Sequence, residues 1–381
     1  GGVNFAYRLG VKLEQSANSL QHNSSSWGTD GRHQARLDGT SWVAGAGDWN
    51  VQAFSQKFWW GPGWQNSLIL SHNAPAWNGV GLQRNSVAAS ASPWFSWAGP
   101  WHFEVFVAQA QDPWVTANQP RGHLMSAFRL TLQPRPWLEL GFSRAMQFGG
   151  AGRAGGAGNF TRALLFQNSH TDDTQDTRGD AANSVAGFDV RVRCPQTWGA
   201  CAFYTQWMGE DTTAVWGNKV QQPWKYTTLW GFEQSWGTNA RHRVFAEYAN
   251  MYQDSSPFET YRGTPGGIGS FYPQGETNGA RWMAGSFGGG SEVTTLGWMD
   301  AQSERVLKFH WGRTLYSAGA YAPNLNAPHG DLRGFGLRQT WHWQGYRISP
   351  EWSVLQLKDG ADQWLNRRHN TRLGVEVSRR F

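Results

Sequence analysis

The sequence predicts an all-β fold: a transmembrane, antiparallel, up-and-down β-barrel spanning residues 1–381 as a single domain. Three observations predict it. Aromatic residues make up 15% of the chain, with 25 Trp, 21 Phe and 47 Gly, while only 39% of residues are hydrophobic. A water-soluble core would draw on Leu, Ile and Val and would not need Trp at this level; strands whose two faces meet different solvents, with Trp and Tyr at the boundary, would. Apolar and polar residues alternate with period two through most of the chain, and the segments are joined by connections that are short, then long, then short again.

The elements follow in order. The first strand begins near Val3, and a strand ascending from Trp49 to Trp60 follows the short turn 45–48. Trp101, Phe103, Val105 and Val107 then share one face against His102 and Glu104. Leu138, Leu140 and Phe142 oppose Glu139 and Ser143, and Phe188, Val190 and Val192 oppose Asp189, Arg191 and Arg193. Leu307, Phe309 and Trp311 oppose Lys308 and His310. Leu373, Val375, Val377 and Phe381 oppose Arg372, Glu376, Ser378 and Arg380. Short connections are expected at 45–48, 99–100, 134–136, 195–200, 237–240, 302–304 and 344–345. Long ones are expected near 18–31, 61–79, 113–123, 149–182, 211–225, 254–290, 317–331 and 359–369. These connections divide the chain into sixteen strands and return both termini to the short-turn rim. A soluble sandwich or a propeller would also alternate, but a propeller needs a blade-length repeat and none is present. Phe381, closing an alternating strand, is similar to the terminal signal of bacterial outer-membrane barrels. Short turns then face the periplasm and long loops the exterior.

Charge and motifs narrow the function. The net charge is +6 and the pI about 9.4, but Lys and Arg are spread singly, so nucleic acid is not the expected partner and an acidic polymer of another kind fits better. No run of about 18 apolar residues exists to form a transmembrane helix. The first residues lack a basic segment followed by an apolar one, so no signal peptide is expected and the chain reads as mature or trimmed. Cys194 and Cys201 flank a turn with Pro and Gly and are either two free thiols or, the favoured reading, a disulfide stapling a hairpin. The loop bearing Asp172, Asp173, Asp176 and Asp180 lacks the glycine and terminal glutamate of a calcium loop and reads as a solvated acidic segment. The glycines of 149–158 lack a Gly-Lys-Ser/Thr ending and read as a flexible surface loop. His342 is expected to line the lumen. No metal-spaced cluster or nucleophile elbow appears, so neither a metal, a cofactor nor an enzyme is expected. Inward charges (Glu139, Asp189, Arg191, Arg193, Lys308, Arg372, Glu376 and Arg380) are either an ion-pair network or a selective channel.

The stretch Lys57–Pro75, KFWWGPGWQNSLILSHNAP, concentrates tryptophan around a rigid turn. Gly61, Pro62 and Gly63 fix a sharp bend, and the apolar Leu68–Ile69–Leu70, flanked by Asn66, Ser67, Ser71 and Asn73, suits folding toward the lumen. Its tryptophans are interface anchors or stacking platforms for sugar rings. Here the sequence resembles the Wzi capsule-assembly family. The resemblance rests on Trp60-Gly61-Pro62-Gly63-Trp64, Ser67-Leu68, Ser71, Asn73-Ala74, Pro75, Arg84 and Gly99-Pro100-Trp101, and covers about the first third of the chain.

That resemblance implies an outer-membrane lectin that binds capsular polysaccharide, acidic in many capsules, and retains it at the cell surface without chemistry. Lipid and lipopolysaccharide surround it, and a monomer is expected. It implies an eighteen-stranded barrel, so a further hairpin would lie within 149–182 or 254–290, and a helical periplasmic plug that this chain does not display. The expected sugar-binding residues are Trp59, Trp64 and Trp77 for stacking and Asn66 and Asn73 for hydroxyls, with Arg84 as anion partner or loop anchor. The same signature is equally compatible with an architectural loop that narrows the lumen. Alternative functions are a porin or polysaccharide export channel and, third, an outer-membrane hydrolase.

Overall fold

Period-two patterning folds into a meander. The computed structural model describes residues 2–15, 33–110, 122–150, 155–164, 182–215, 220–251, 277–278, 281–287, 291–314, 330–358 and 369–379. The strands are β1 (Asn4–Arg8), β2 (Lys12–Gln15), β3 (His33–Arg36), β4 (Thr40–Ala46), β5 (Trp49–Gln56), β6 (Trp77–Arg84) and β7 (Trp101–Gln109). They continue as β8 (Leu124–Arg135), β9 (Leu138–Phe148), β10 (Ala182–Arg193), β11 (Ala200–Val215), β12 (Val220–Trp236) and β13 (His242–Asn250). After two-residue β14 (Thr277–Asn278) and β15 (Arg281–Trp282) come β16 (Ser291–Asp300), β17 (Arg305–Thr314), β18 (Gly330–Gln339), β19 (Trp341–Trp343), β20 (Tyr346–Lys358) and β21 (His369–Arg379).

All main pairings are antiparallel and nearest-neighbour, from β1–β4 through β4–β5 to β20–β21. The sheet contains 17 strands. Two of them are one pass: β18 and β19 both pair with β20 in a single register, Leu337↔Trp352 and Trp341↔Ile348. The break falls at Thr340, whose hydroxyl meets Ser349 Oγ at 2.9 Å. Counted so, the described residues make sixteen passes of the wall, the number read from the sequence. The β2–β3 pair carries the first hairpin onward past a kink, where Gly10 N donates to Thr40 Oγ1 (3.1 Å).

The two faces meet different surroundings. Outward Leu373, Val375 and Val377 are 79%, 68% and 57% exposed. An apolar stripe this bare requires hydrocarbon on its outer side. Inward charges are paired: Arg129 grips Asp189 at 2.7 and 3.0 Å and donates to Ser143 Oγ at 2.7 Å. Arg191 pairs with Glu233, Arg193 with Glu139 at 2.5 Å and Arg338 with Glu376 at 3.1 Å. The ion-pair reading therefore describes this part of the lumen wall; the side chains of Arg372 and Arg380 lie outside the described residues. On the short-turn rim, hydrogen bonds from His342 and Arg347 hold the Glu304 carboxyl below the usual carboxylate range.

Four connections depart from expectation. The turn expected at 99–100 is a connection from Asn85 to Pro100 carrying one turn of 3-10 helix, Ser96–Ala98, because the pattern-poor serine and alanine run cannot extend β6. The loop expected at 211–225 is instead strand: β11 and β12 stay paired to Val215↔Val220, with bulges near Glu210 absorbing the irregular alternation. From the end of the glycine-rich stretch, Ala157–Leu164 form a helix, α1, whose Phe160 meets Phe148 at 5.3 Å on the outer face of β9. Among the described residues of those two stretches, the extra pairing is β14–β15, which does not join the main sheet. The aspartate loop 171–180 and Phe381 lie outside the described residues.

Cys194 and Cys201 are disulfide-bonded, and Cys194 N donates to Cys201 O at 2.9 Å. Closing so short a loop removes entropy from the unfolded chain worth about 2.5 kcal/mol in the chain-entropy model. Cys194→Ser with Cys201→Ser is therefore expected to lower unfolding stability by roughly 2 kcal/mol in urea titrations in detergent; identical midpoints for both proteins would contradict this.

Candidate functional site: a loop clamped across the lumen

The connection between β5 and β6 leaves the long-loop rim and turns inward. Glycine is required at Gly63, where a Cβ would strike backbone, and at Gly61 it leaves room for the Gln206 amide. A Cβ on Gly61 would come within 2.7 Å of Gln206 Oε1, and one on Gly63 within 2.2 Å of Asn66 O. Gln206, on the inward face of β11, bridges the turn: it accepts from Leu68 N (2.8 Å) and donates to Trp60 O (2.7 Å). Ser67 Oγ donates to the same carbonyl at 2.6 Å. Leu68, Ile69 and Leu70 are then almost wholly buried, each worth about 1.5–3 kcal/mol on transfer from water. They pack with Phe54, Phe58, Trp60, Trp77 and Phe106, where Phe58 and Phe106 stack at 4.4 Å.

Glu247, on the inward face of β13, is the clamp. Its carboxylate accepts the backbone N–H groups of Trp64, Gln65 (3.0 Å) and Asn66 (3.1 Å), plus the Tyr204 hydroxyl at 3.0 Å. Glu233 accepts the Trp64 indole N–H at 2.5 Å while pairing with Arg191. The Arg243 guanidinium lies 4.5 Å from the Trp64 ring centroid. Lys308 on β17 reaches Gln65 Oε1 at 2.7 Å. The loop is thus tied to β11, β12, β13 and β17 as well as to its own strands.

A second strap locks it from the other side. Ser71 N donates to Met283 O (2.7 Å) and Gly285 N to Ser67 O (2.9 Å). Ser286 N donates to Asn66 Oδ1 (3.0 Å) and its hydroxyl to Gln65 O (2.5 Å). Asn278 Nδ2 donates to Pro75 O at 3.2 Å.

The expected sugar-binding residues fall into three places. Asn66 and Trp77 are buried within the lumen, and Trp64 is held between Glu233 and Arg243. Trp59 is half-buried, donates its indole N–H to Gly63 O (2.9 Å) and meets the exposed His72 ring edge-on at 5.3 Å. The half-buried Asn73 follows His72, and Lys57 Nζ donates to His72 O at 2.8 Å. Arg84 lies at the opposite, short-turn end: it donates to Ala88 O (2.9 Å) and Trp101 O (2.8 Å) and pairs with Asp48 at 3.3 Å. Glu247, Gln206, Glu233 and the 281–287 strap are absent from the sequence reading. The one available signal was Glu247's place in the inward register between Phe245 and Ala249.

This meandering wall, with a bare apolar exterior, paired charges inside and an infolded loop, defines a transmembrane β-barrel of the outer-membrane type. Residues 2–305 match the model of the family described as capsule assembly protein Wzi, and the chain belongs to that family. A Klebsiella pneumoniae protein described as an uncharacterized 55.8 kDa protein in the cps region is 34% identical over 154 residues. That match covers 40% of this chain and 29% of the relative's length. The fold is also that of Escherichia coli Wzi, an outer-membrane protein described as a carbohydrate-binding β-barrel involved in group 1 capsule assembly. It aligns at a TM-score of 0.66 and 18% identity over 98% of this chain and 82% of that one.

Removing the Glu247 carboxylate leaves buried N–H groups unpaired at about 1–3 kcal/mol each. Glu247→Ala is therefore expected to release the loop, raising conductance in planar bilayers while the barrel stays heat-modifiable on gels. Conductance unchanged from the parent would contradict the clamp.

Proposed function

We propose that this protein is an outer-membrane lectin that retains capsular polysaccharide at the cell surface without altering it. The observation that carries the reading is the loop fixed across the lumen. It presents an indole, an imidazole, an amide and a nearby ammonium (Trp59, His72, Asn73 and Lys57) toward the long-loop rim. Indole faces pack on pyranose C–H surfaces and amides hydrogen-bond hydroxyls. Family membership and the fold shared with a carbohydrate-binding barrel support the same reading. The chain's net charge of +6 suits an acidic polymer. Of the residues expected to bind sugar, Trp59 and Asn73 belong to the accessible mouth. Trp64, Asn66 and Trp77 support it from below, and Arg84 anchors the far rim.

An export channel or porin would need an open path, and the infolded loop counts against it. Trp59→Ala with Asn73→Ala, expressed in a deletion strain, is expected to shift capsule from the cell-bound to the shed fraction and to leave conductance at the parental level. Trp64→Ala is expected to change both. Normal capsule retention in the Trp59/Asn73 double variant would remove the mouth from the binding surface.

A further inference from the structure

Among the described residues, the connection Asn85–Pro100 is longer than the other short-turn connections. Its sequence, NSVAASASPWFSWAGP, contains no charged residue, whereas the turns 237–241 and 301–304 carry Arg241 and Glu304. Register shows which side of the wall it occupies. On β6, Val80 and Leu82 face outward, so Arg84 does too; on β7, Phe106 and Ala108 face the lumen, so Trp101 faces outward. The Arg84 guanidinium lies 4.0 Å from the Trp101 ring centroid, and Phe95 meets that ring edge-on at 5.6 Å. The connection therefore folds back over the exterior of the barrel, pinned by Arg84 to Ala88 O and by a bridge between Ala89 and Pro100.

This arrangement covers Arg84 but leaves large rings bare. Trp94 is 89% exposed, Trp97 59% and Val87 65%. The patch continues into the outward aromatic surface of the wall, where Trp49 meets Trp101 at 6.3 Å and Phe103 at 6.4 Å. Trp97 donates its indole N–H to Trp94 O at 3.0 Å, which holds the two side chains on one short segment.

We propose that this connection is a membrane-anchoring strap. Trp94 and Trp97 sit at the boundary between headgroups and acyl chains of the leaflet beside the short-turn rim. The strap continues a surface already in hydrocarbon, contains no charge that would need water, and presents indoles, the side chains favoured at that depth. Arg84, neutralised by Asp48 and shielded by the strap, can remain on the outer face.

The test uses the full chain in vesicles of phosphatidylethanolamine and phosphatidylglycerol. Trp94→Cys and Trp97→Cys are labelled with an environment-sensitive fluorophore, the native cysteines being disulfide-bonded. Gln302→Cys, in another short turn, is the reference. Labels on the strap are expected to emit at shorter wavelength than the reference. They should be quenched more by nitroxides near the headgroup than by aqueous iodide. Ser92→Cys removes no ring and reports on the same segment should either tryptophan variant fail to fold. Iodide quenching equal to that of the reference overturns the proposal, including the case in which the strap becomes shielded only after a periplasmic protein or a second copy of the chain is added.

Discussion

The carboxylate of Glu247 accepting three consecutive backbone N–H groups is the contact on which the interior depends. A bend through Gly61, Pro62 and Gly63 leaves several peptide donors without helix or sheet partners in a low-dielectric lumen. Unpaired buried groups of this kind are costly. One anionic acceptor satisfies the set, and Tyr204 donates to it from β11, two strands along the wall. The bend would otherwise have to stay in water, and the apolar Leu68–Ile69–Leu70 would have no route to the inner wall.

From that contact the plug builds outward in two layers. Trp60, Phe58 and Phe106 form an aromatic wedge against β5 and β7, and the 283–286 backbone closes over the other side of the loop. A barrel of sixteen passes has room for a water-filled channel unless something fills it. Here two loops far apart in the chain fill part of that space together. For the proposed function the consequence is rigidity: the side chains at the mouth rest on a braced floor, which would reduce the ordering cost of gripping a polymer.

Much of the wall was legible in the sequence because a strand between lipid and lumen leaves a period-two trace in every pass. Phe188, Val190 and Val192 against Asp189 and Arg191 is one such trace, and the disulfide between Cys194 and Cys201 was the favoured of two readings of the turn between them. The inward course of the Leu68–Leu70 run was legible too, since three apolar residues with amide and hydroxyl flanks have no stable place in water. What clamps the loop was not. Glu247 is one inward glutamate among several, and only folding brings it beside residues some 180 positions earlier. The Asn85–Pro100 strap escaped for a related reason: Gly99-Pro100 reads as a tight turn, and nothing local says that Phe95 will reach back to Trp101. Of the sugar-binding candidates, sequence grouped Trp59 with Trp64 and Trp77, but register alone could not say which ring would remain accessible.

The central claim is that the loop spans the lumen, and a cross-link between its tip and the far wall tests this most directly. Gln65 and Lys308 meet across that space at 2.7 Å. A Gln65→Cys, Lys308→Cys variant treated in intact cells with a short bifunctional thiol reagent should give an internally linked barrel of altered gel mobility. No linkage, together with ready labelling of the Gln65→Cys thiol by a bulky impermeant reagent from outside, would place the loop outside the lumen and contradict the account.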